Sequence, residues 1–358
     1  MAAPAAIERG PAGRLQFLDA VRGFALLLMI VNHTGRWWQD GTMGWPRYNL
    51  VYGTMAVGAP LFLFLVGFCL PLSFARRPHA DRAGTVTKFL SRGIRLLLAS
   101  WLLNFLIFRD EPFWEGGVLQ TIGLGIILCL PALLLLHRRG ARATLVAIAV
   151  GAYALFSVSY AAVVAWAPAH PVIGRIFLFE FAPWPWLSLV WIGLVLGWTW
   201  ARLPTDEERA RYLAILSAVG VLCLAAFAAW DWAHGTPPHL SLSFKRDFTV
   251  NNHWIARGVT CFLCFGSVFG LLGLAYWLVE VRRLPVGWLV IMGRTSLMIY
   301  FIHHVFVFTL VHEWLGLKLN AWGWYWLGNL LLAALMVLLG RLWLEVRALA
   351  ARRRLQTA

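Results

Sequence analysis

Two residues that could do chemistry lie in one apolar stretch near the N-terminus, LDAVRGFALLLMIVNH, which carries Arg22 and His33. Their spacing of eleven residues returns the side chains to within about 20° of one helix face, about 16 Å apart along the axis. A guanidinium that binds anions and an imidazole that accepts protons would then share one stripe. Asp19 lies one helical turn before Arg22 and is placed to pair with it. The alternative is that Asp19 and Arg22 end the helix at a membrane interface and that His33 is a hydrogen-bonded interior histidine.

A second stretch, GRTSLMIYFIHH, repeats this order of residue types, with Arg294 early and His303 and His304 late. Ser296 and His303 are seven residues apart and share a helix face, and Tyr300 lies between them. Ionisable side chains inside an apolar span cost several kcal/mol unless they face a cavity or a partner, which makes them candidates for function. Hydrogen bonding between neighbouring helices is the alternative explanation for the histidines.

A basic cluster lies in KFLSRGIRLLL, where Lys88, Arg92 and Arg95 precede an apolar run, with Arg76 further upstream. Arg92 and Arg95 point the same way on a helix, and guanidinium groups bind phosphate oxygens through paired hydrogen bonds. The cluster therefore predicts a phosphate-bearing ligand. The alternative is that these side chains only anchor a helix at the membrane interface.

The composition excludes a soluble globular protein. Of 358 residues, 60% are hydrophobic and 13% are charged, and the mean hydropathy is +0.70, whereas soluble domains carry about 25% charged residues. The net charge of +15 is not taken as a nucleic-acid footprint, because a membrane sorts basic residues by side. The five cysteines lie in apolar runs and predict no disulfides. Cys261 and Cys264 have CxxC spacing but lack nearby further ligands, so no metal is expected.

The apolar runs predict an all-α, polytopic membrane helical bundle of about ten transmembrane helices, forming a single domain over residues 1–358. Asn104 and Gln120 are polar insertions in the third and fourth spans, and they are either further site candidates or hydrogen-bonding links between helices. The sixth span is the shortest. The predicted spans are residues 17–34, 52–74, 89–108, 117–136, 144–166, 186–201, 212–230, 258–281, 288–311 and 324–344.

The distribution of basic residues orients the bundle. Most arginine and lysine residues outside the spans fall in the two terminal regions and in alternate connections, for example at Arg138, Arg139 and Arg142. Cytoplasmic regions carry such an excess of positive charge, and an even number of spans puts both termini on one side. We therefore predict that both termini, with the tails 1–16 and 346–358, are cytoplasmic.

The first helix resembles that of the transmembrane acyltransferase superfamily, which includes the acyltransferase-3 family. Arg22 and His33 match the R-x10-H signature of that superfamily within RLQFLDAVRGFALLLMIVNH. The segments APLFLFLVGFCLPLSFARR and KFLSRGIRLLL are similar to those that follow in the superfamily. GVLQTIGLGIIL and GRTSLMIYFIHH resemble the branch of the heparan-alpha-glucosaminide N-acetyltransferase catalytic domain and its bacterial relatives. The resemblance covers nearly the whole chain in order.

This resemblance implies an enzyme of the bacterial cytoplasmic (inner) membrane that moves an acyl group, such as acetyl, from cytoplasmic acyl-CoA (acetyl-CoA). The acceptor would be a hydroxyl or amine of a cell-envelope saccharide or a lipid-linked glycan at the outer leaflet. The lipid bilayer is a further partner, and no nucleic acid is expected. Coenzyme A carries phosphates, and the residues expected to bind them are Arg92, Arg95, Arg76, Lys88, Arg294 and Arg22.

In the same scheme His33 acts as a general base toward the acceptor or carries the acyl group itself. Base catalysis contributes roughly 10²–10⁴ in rate, and either role needs a neutral imidazole, which a low-dielectric interior favours. Asp19 would hold Arg22 in place. The residues expected to orient the thioester or stabilise the oxyanion are Ser296, Tyr300 and His303 or His304.

A transporter or flippase for an anionic or saccharide substrate, without acyl chemistry, is the alternative function. Transporters often show helices broken by Gly or Pro at corresponding positions of two halves, and this sequence shows no such pairing. An arginine-rich entry with one aligned histidine favours a cofactor site over a proton pathway. A structural membrane subunit would leave the three polar clusters unexplained.

Overall fold

The framework of the chain consists of α-helices. The computed structural model describes residues 15–39, 47, 51, 55–75, 82–109, 111–178, 181, 183–234, 249–250, 253–254 and 257–356. In chain order the helices are α1 (Gln16–Trp38), α2 (Met55–Ala75), α3 (Arg82–Leu106), α4 (Val118–Leu135), α5 (Ala141–Trp166), α6 (Pro183–Ala201), α7 (Asp206–His234), α8 (Thr260–Tyr276), α9 (Gly287–Arg294), α10 (Ser296–His304) and α11 (Trp322–Gln356).

Shorter elements connect or extend these helices. A 3₁₀ turn at Ala167–Ala169 and a one-turn helix at Pro171–Ile173 follow α5. Two strands of two residues each, β1 (Thr249–Val250) and β2 (His253–Trp254), pair in antiparallel fashion. Wider π-helical segments occupy Gly174–Leu178, Trp277–Val281 and Val305–Trp314, and the last two continue α8 and α10.

Nine helical segments in the described part of the chain are long and apolar enough to cross a membrane. This confirms the prediction of an all-α polytopic bundle. Backbone groups inside a bilayer must find partners within the chain, and a helix satisfies this requirement internally. The side on which the termini lie stays a prediction. The nine segments are Gln16–Trp38, Val57–Phe74, Ala83–Leu106, Val118–Leu135, Ala141–Ala169, Asp206–His234, Thr260–Val281, Ser296–Trp314 and Trp322–Arg353.

The sixth predicted span, residues 186–201, is not one of the nine. It lies in α6, where the backbone leaves helical geometry at Trp184 (φ −96°, ψ 125°). The regular helix that follows is too short for a straight span, because a hydrocarbon core of about 30 Å needs about 20 residues. α6 is instead buried along most of its length.

The ninth predicted span, residues 288–311, is wrong as one continuous helix. The backbone is non-helical at Thr295 (φ −111°, ψ 17°), so that Arg294 ends α9 and Ser296 begins α10. The Thr295 hydroxyl donates to the carbonyl oxygen of Ile291 at 2.8 Å, and local bonds of this kind compete with the helical ladder and bend helices. Arg294 therefore belongs to a different helix from the histidines.

The chain divides into two compact units. The first comprises Met1–Gly58 and Leu271–Ala358, and the second comprises Ala59–Gly270. The expectation that residues 1–358 form a single domain stays a prediction.

In the first unit, α1 packs directly on α9 through glycines. A methyl group at Gly293 would collide with the backbone of Asp19, and one at Gly23 would collide with the carbonyl group of Leu289. Close approach across small residues is typical of helix packing in membranes, where lipid is as apolar as the side chains and packing itself drives association. The contact fixes the beginning of α1.

Replacing Gly293 by alanine should destabilise the protein by about 1–3 kcal/mol, because the added methyl group must push α1 and α9 apart. The measurement is the thermal unfolding midpoint of the purified protein in detergent. Gly287→Ala is the matched control, since Gly287 lies in the same helix with open space around it. Equal midpoints for the two variants would contradict the close contact.

In the second unit, small residues again mark the helix contacts. α3 and α4 approach at Gly93 and Gly123, where an added methyl group would lie 3.0 Å and 2.9 Å from the other glycine's carbonyl oxygen. α2 approaches α6 at Gly67, which leaves no room for a side chain. The Ser188 hydroxyl of α6 donates to the carbonyl oxygen of Ala149 in α5 at 2.8 Å. Backbone contacts and a buried hydrogen bond thus hold these helices together.

Candidate active site

Three histidines from two helices meet in the first unit. His33 lies in α1, and His303 and His304 are the last residues of α10. Nδ1 of His33 lies 3.0 Å from Nε2 of His303, and the planes of these two rings are within 8° of parallel with centroids 5.2 Å apart. The ring centroid of His304 lies 4.5 Å from that of His33 and 4.2 Å from that of His303. We call this cluster the histidine triad.

The triad is largely enclosed by protein. His303 is fully buried and His304 is 6% exposed, whereas His33 is half-buried. The buried ring of Tyr300 packs against it, with its centroid 4.6 Å from that of His304. A substrate can therefore approach His33 more readily than the other two histidines.

The hydrogen bonds of α10 fix the tautomers of its two histidines. Nδ1 of His303 lies 2.9 Å from the carbonyl oxygen of Ile299, and Nδ1 of His304 lies 2.7 Å from that of Tyr300. A carbonyl oxygen only accepts hydrogen bonds, so Nδ1 donates in both rings and Nε2 carries the lone pair of the neutral imidazole. His33 must then donate from Nδ1 to Nε2 of His303. This makes Nε2 the proton-accepting nitrogen of His33.

A buried polar network next to the triad positions α1. The Thr34 hydroxyl donates to Oδ1 of Asn329 at 2.7 Å, and the Tyr325 hydroxyl donates to the carbonyl oxygen of Val31 at 2.7 Å. Tyr325 and Asn329 belong to α11. Buried groups that lose such partners cost about 1–3 kcal/mol each, so the network holds α1 in one rotation and presents His33 to α10. Sequence reasoning missed it, although a Tyr and an Asn one helical turn apart in an apolar span were the available signal.

The expected pairing of Asp19 with Arg22 is present. Nη1 of Arg22 donates to Oδ1 of Asp19 at 2.9 Å, with the carboxylate buried and the arginine side chain 20% exposed. Both residues lie in the same unbroken helix as His33, so Arg22 is about 16 Å from His33 along the axis. A role for this pair in binding a ligand stays a prediction.

The other residues expected in the ninth span do not all reach the triad. Tyr300 and both histidines are brought together. Ser296 is half-buried at the start of α10, about 10 Å along the helix from His303. Arg294 is exposed at the end of α9. Ser296 and Arg294 therefore stand apart from the three rings.

The residues expected to bind phosphate lie mainly in the second unit. Lys88, Arg92 and Arg95 are exposed on α3, and Arg95 donates from Nε to the carbonyl oxygen of Ser91 at 3.2 Å. Arg76 lies outside the described residues. All three side chains lie in a helix that is long and apolar enough to cross a membrane, and their role in binding a ligand stays a prediction.

Asn104 and Gln120 form hydrogen bonds within the second unit. Nδ2 of Asn104 donates to the carbonyl oxygen of Glu115 at 2.9 Å, and Nε2 of Gln120 donates to that of Ile176 at 3.3 Å. Each bond ties a helix to the backbone of a connecting segment. Asn104 and Gln120 thus each link a helix to a connecting segment, whereas the sequence predicted links between two helices.

A cavity of about 740 Å³ in the second unit is lined by basic side chains that sequence reasoning did not assign to a site. His137 and Arg138 follow α4, and Arg202 follows α6. The guanidinium carbon of Arg202 lies 3.7 Å from the ring centre of Trp198, which also lines the cavity and attracts the cation through its π face. The available signal in the sequence was that basic residues directly follow two apolar spans. From the sequence alone, these residues are used only to orient the bundle.

The histidine triad also has the composition of a metal site. Within the described residues, one ring nitrogen from each of His33, His303 and His304 lies within 4.8 Å of the others. The expectation of no metal rested on Cys261 and Cys264, which are free thiols. His33 and His303 are 270 residues apart in sequence, so their spacing gives no motif.

Comparison with protein families gives a match over more than half of the chain. The model of the heparan-alpha-glucosaminide N-acetyltransferase catalytic domain matches residues 14–227. No curated protein matches the chain. The matched range contains Arg22 and His33, whereas His303 and His304 lie beyond it. The resemblance to the acyltransferase-3 family stays a prediction.

Proposed function

The chain belongs to the family of the heparan-alpha-glucosaminide N-acetyltransferase catalytic domain, and on this premise we propose that it moves an acetyl group from cytoplasmic acetyl-CoA to a cell-envelope acceptor. The acceptor group is a hydroxyl or amine of a saccharide or lipid-linked glycan. The reaction takes place in the bacterial cytoplasmic membrane. Family membership and the apolar helices support a multi-pass membrane acetyltransferase. We propose the donor, the acceptor and the location in addition.

The observation that carries the proposal is the hydrogen bond between Nδ1 of His33 and Nε2 of His303 at 3.0 Å. Because Nδ1 of His303 donates to the carbonyl oxygen of Ile299, Nε2 of the neutral His303 ring can only accept a hydrogen bond. His33 is therefore the donor in the bond between the two histidines. This bond holds His33 in the tautomer whose Nε2 accepts a proton. A general base needs both this tautomer and a fixed ring, and a hydrogen-bond acceptor on Nδ1–H supplies both.

Direct transfer would use that nitrogen as the base. Nε2 of His33 takes the proton of the acceptor hydroxyl or amine while the acceptor atom attacks the thioester carbonyl carbon. The C–S bond then breaks, the acetyl group stays on the acceptor, and the imidazolium returns its proton to the departing thiolate. Nδ1–H of the imidazolium remains hydrogen-bonded to Nε2 of His303. Alternatively, Nε2 of His33 attacks the thioester carbonyl carbon and the C–S bond breaks to release the thiolate. The acceptor hydroxyl or amine then attacks the acetyl carbon, the bond to Nε2 breaks, and the acceptor proton goes to the thiolate.

Donor binding is assigned to the basic residues of the second unit. Lys88, Arg92 and Arg95 are exposed on α3, and guanidinium groups match the oxygens of a phosphate. The cavity lined by Arg138 and Arg202 has an otherwise mainly apolar wall, which suits a ligand with a phosphate end and a flexible uncharged arm. For Arg22, Arg76 and Arg294 a role in binding the donor stays a prediction.

Arg92→Ala combined with Arg95→Ala should raise the apparent KM for acetyl-CoA by about tenfold and change kcat less, because the phosphates of the donor are bound alike in ground and transition states. The measurement is steady-state thiol release at varied acetyl-CoA. Arg352→Ala with Arg353→Ala removes the same charge from α11 and serves as the control. An unchanged KM in the α3 variant would show that these arginines only anchor the helix at the interface.

The reaction itself is tested by comparing cells with and without the gene. Mass spectrometry of cell-envelope glycans and lipids should show an acetylated species only when the protein is present. Purified protein in detergent should then release free thiol from acetyl-CoA when that acceptor is supplied. Uptake of the glycan into vesicles without thiol release would instead identify a transporter.

A further inference from the structure

We propose that His33, His303 and His304 form a binding site for a divalent transition-metal ion of the zinc class. Imidazole nitrogen is a preferred zinc ligand, and three protein ligands with an open fourth position are a common arrangement. One ring nitrogen from each residue lies within 4.8 Å of the others. Ligand nitrogens around a tetrahedral zinc ion are about 3.3 Å apart, close to the 3.0 Å that separates Nδ1 of His33 from Nε2 of His303.

The two histidines of α10 are already oriented as metal ligands. Their Nδ1 atoms donate to the carbonyl oxygens of Ile299 and Tyr300 at 2.9 Å and 2.7 Å. Metal-bound histidines nearly always donate their other ring N–H to a carbonyl or carboxylate, which fixes the tautomer and raises the basicity of the ligating nitrogen. Nε2 of His303 and Nε2 of His304 are thus the nitrogens that would bind the metal ion.

The charge of the ion defines the fourth ligand. Three neutral imidazoles supply no negative charge, and a charge enclosed by protein is costly without an anionic partner. Water bound to zinc loses a proton near neutral pH, and the resulting hydroxide would occupy the open position. The partial exposure of His33 gives this position a path to the outside.

Metal binding and base catalysis exclude each other, and this consequence rests on the proposed function. Nδ1 of His33 faces Nε2 of His303 and must give up its hydrogen to become a ligand. In the neutral ring that proton moves to Nε2, so the nitrogen that accepts the substrate proton becomes a donor. The metal-bound enzyme should therefore lose the contribution of the base, about 10²–10⁴ in rate.

Cobalt binding tests the site without any reference to activity. The full-length protein in detergent is stripped with EDTA, and Co²⁺ is titrated while visible absorption is recorded. We expect one equivalent of Co²⁺ per chain with the intense spectrum of a four-coordinate ion, and displacement by Zn²⁺. His304→Ala should weaken Co²⁺ binding at least about tenfold, whereas His312→Ala, on the segment that continues α10, should bind as the wild type does.

Absence of the spectrum in the wild type, or equal Co²⁺ affinity in His304→Ala, would overturn the metal site. Size-exclusion profiles and melting temperatures of the variants verify that each is folded. Zinc inhibition, measured against each protein's own metal-free rate, should be strong in the wild type and weak in His304→Ala. Full activity of the wild type at saturating Zn²⁺ would contradict the claim that metal binding and base catalysis exclude each other. Cobalt binding by a protein that shows no transferase activity would support the metal site and refute the proposed function.

Discussion

His33→Ala should lower the rate of acetyl transfer by about 10²–10⁴-fold, because it removes the proton acceptor from the reacting centre. The measurement is the release of free thiol from acetyl-CoA by the purified protein in the presence of the acceptor. His33 lies on the edge of the triad and is half-buried, so its removal leaves a smaller defect than the loss of a core side chain. We therefore expect the variant to stay folded, with a melting temperature lowered only by the loss of the hydrogen bond to buried His303.

His312→Ala is the control for this result, since it removes a different histidine of the first unit. Its rate should equal that of the wild type. Turnover retained in His33→Ala at the wild-type rate would exclude His33 as base and as acyl carrier. A further measurement separates those two roles: an acyl-histidine would appear as acetyl label on the wild-type protein after brief incubation with labelled acetyl-CoA, and direct transfer would leave the protein unlabelled.

Replacing His303 by leucine should lower kcat by about 10- to 100-fold with little change in the KM for acetyl-CoA. Leucine fills a similar volume but cannot accept the hydrogen bond from Nδ1 of His33. The loss combines the net contribution of one hydrogen bond, about 1 kcal/mol, with the larger penalty of a base held in the wrong tautomer. Because His303 is a positioning residue for His33, the effect is expected in kcat.

His303→Gln distinguishes positioning from packing. The Gln Oε1 atom can reach the place of Nε2 and accept from Nδ1 of His33, so this variant should recover part of the lost rate. Both variants are compared at equal stability, judged by melting temperature. Identical rates for the leucine and glutamine variants would mean that His303 acts only through packing, and the tautomer argument would fail.

The class of fold is predictable from the sequence because the bilayer imposes it locally. Each apolar run must satisfy its own backbone hydrogen bonds, and the α-helix does so without reference to distant residues. The expected pairing of Asp19 with Arg22 is present for the same reason, since the two residues are one helical turn apart. The structure differs from the predicted spans in two places. Thr295 bends the ninth span, and the sixth lies in a regular helix that is too short for a straight span.

The sequence by itself determined that the chain is a helical membrane protein and that His33 is a candidate base, because both conclusions follow from residues close together in the chain. Only the tertiary structure decided which group accepts the hydrogen bond from Nδ1 of His33. Nδ1 of His33 meets Nε2 of His303, a residue 270 positions further along the chain, and a contact between two helices depends on packing that no spacing within one helix encodes. It also shows that both histidines of the doublet lie beside His33, with one ring nitrogen from each of the three residues within 4.8 Å of the others.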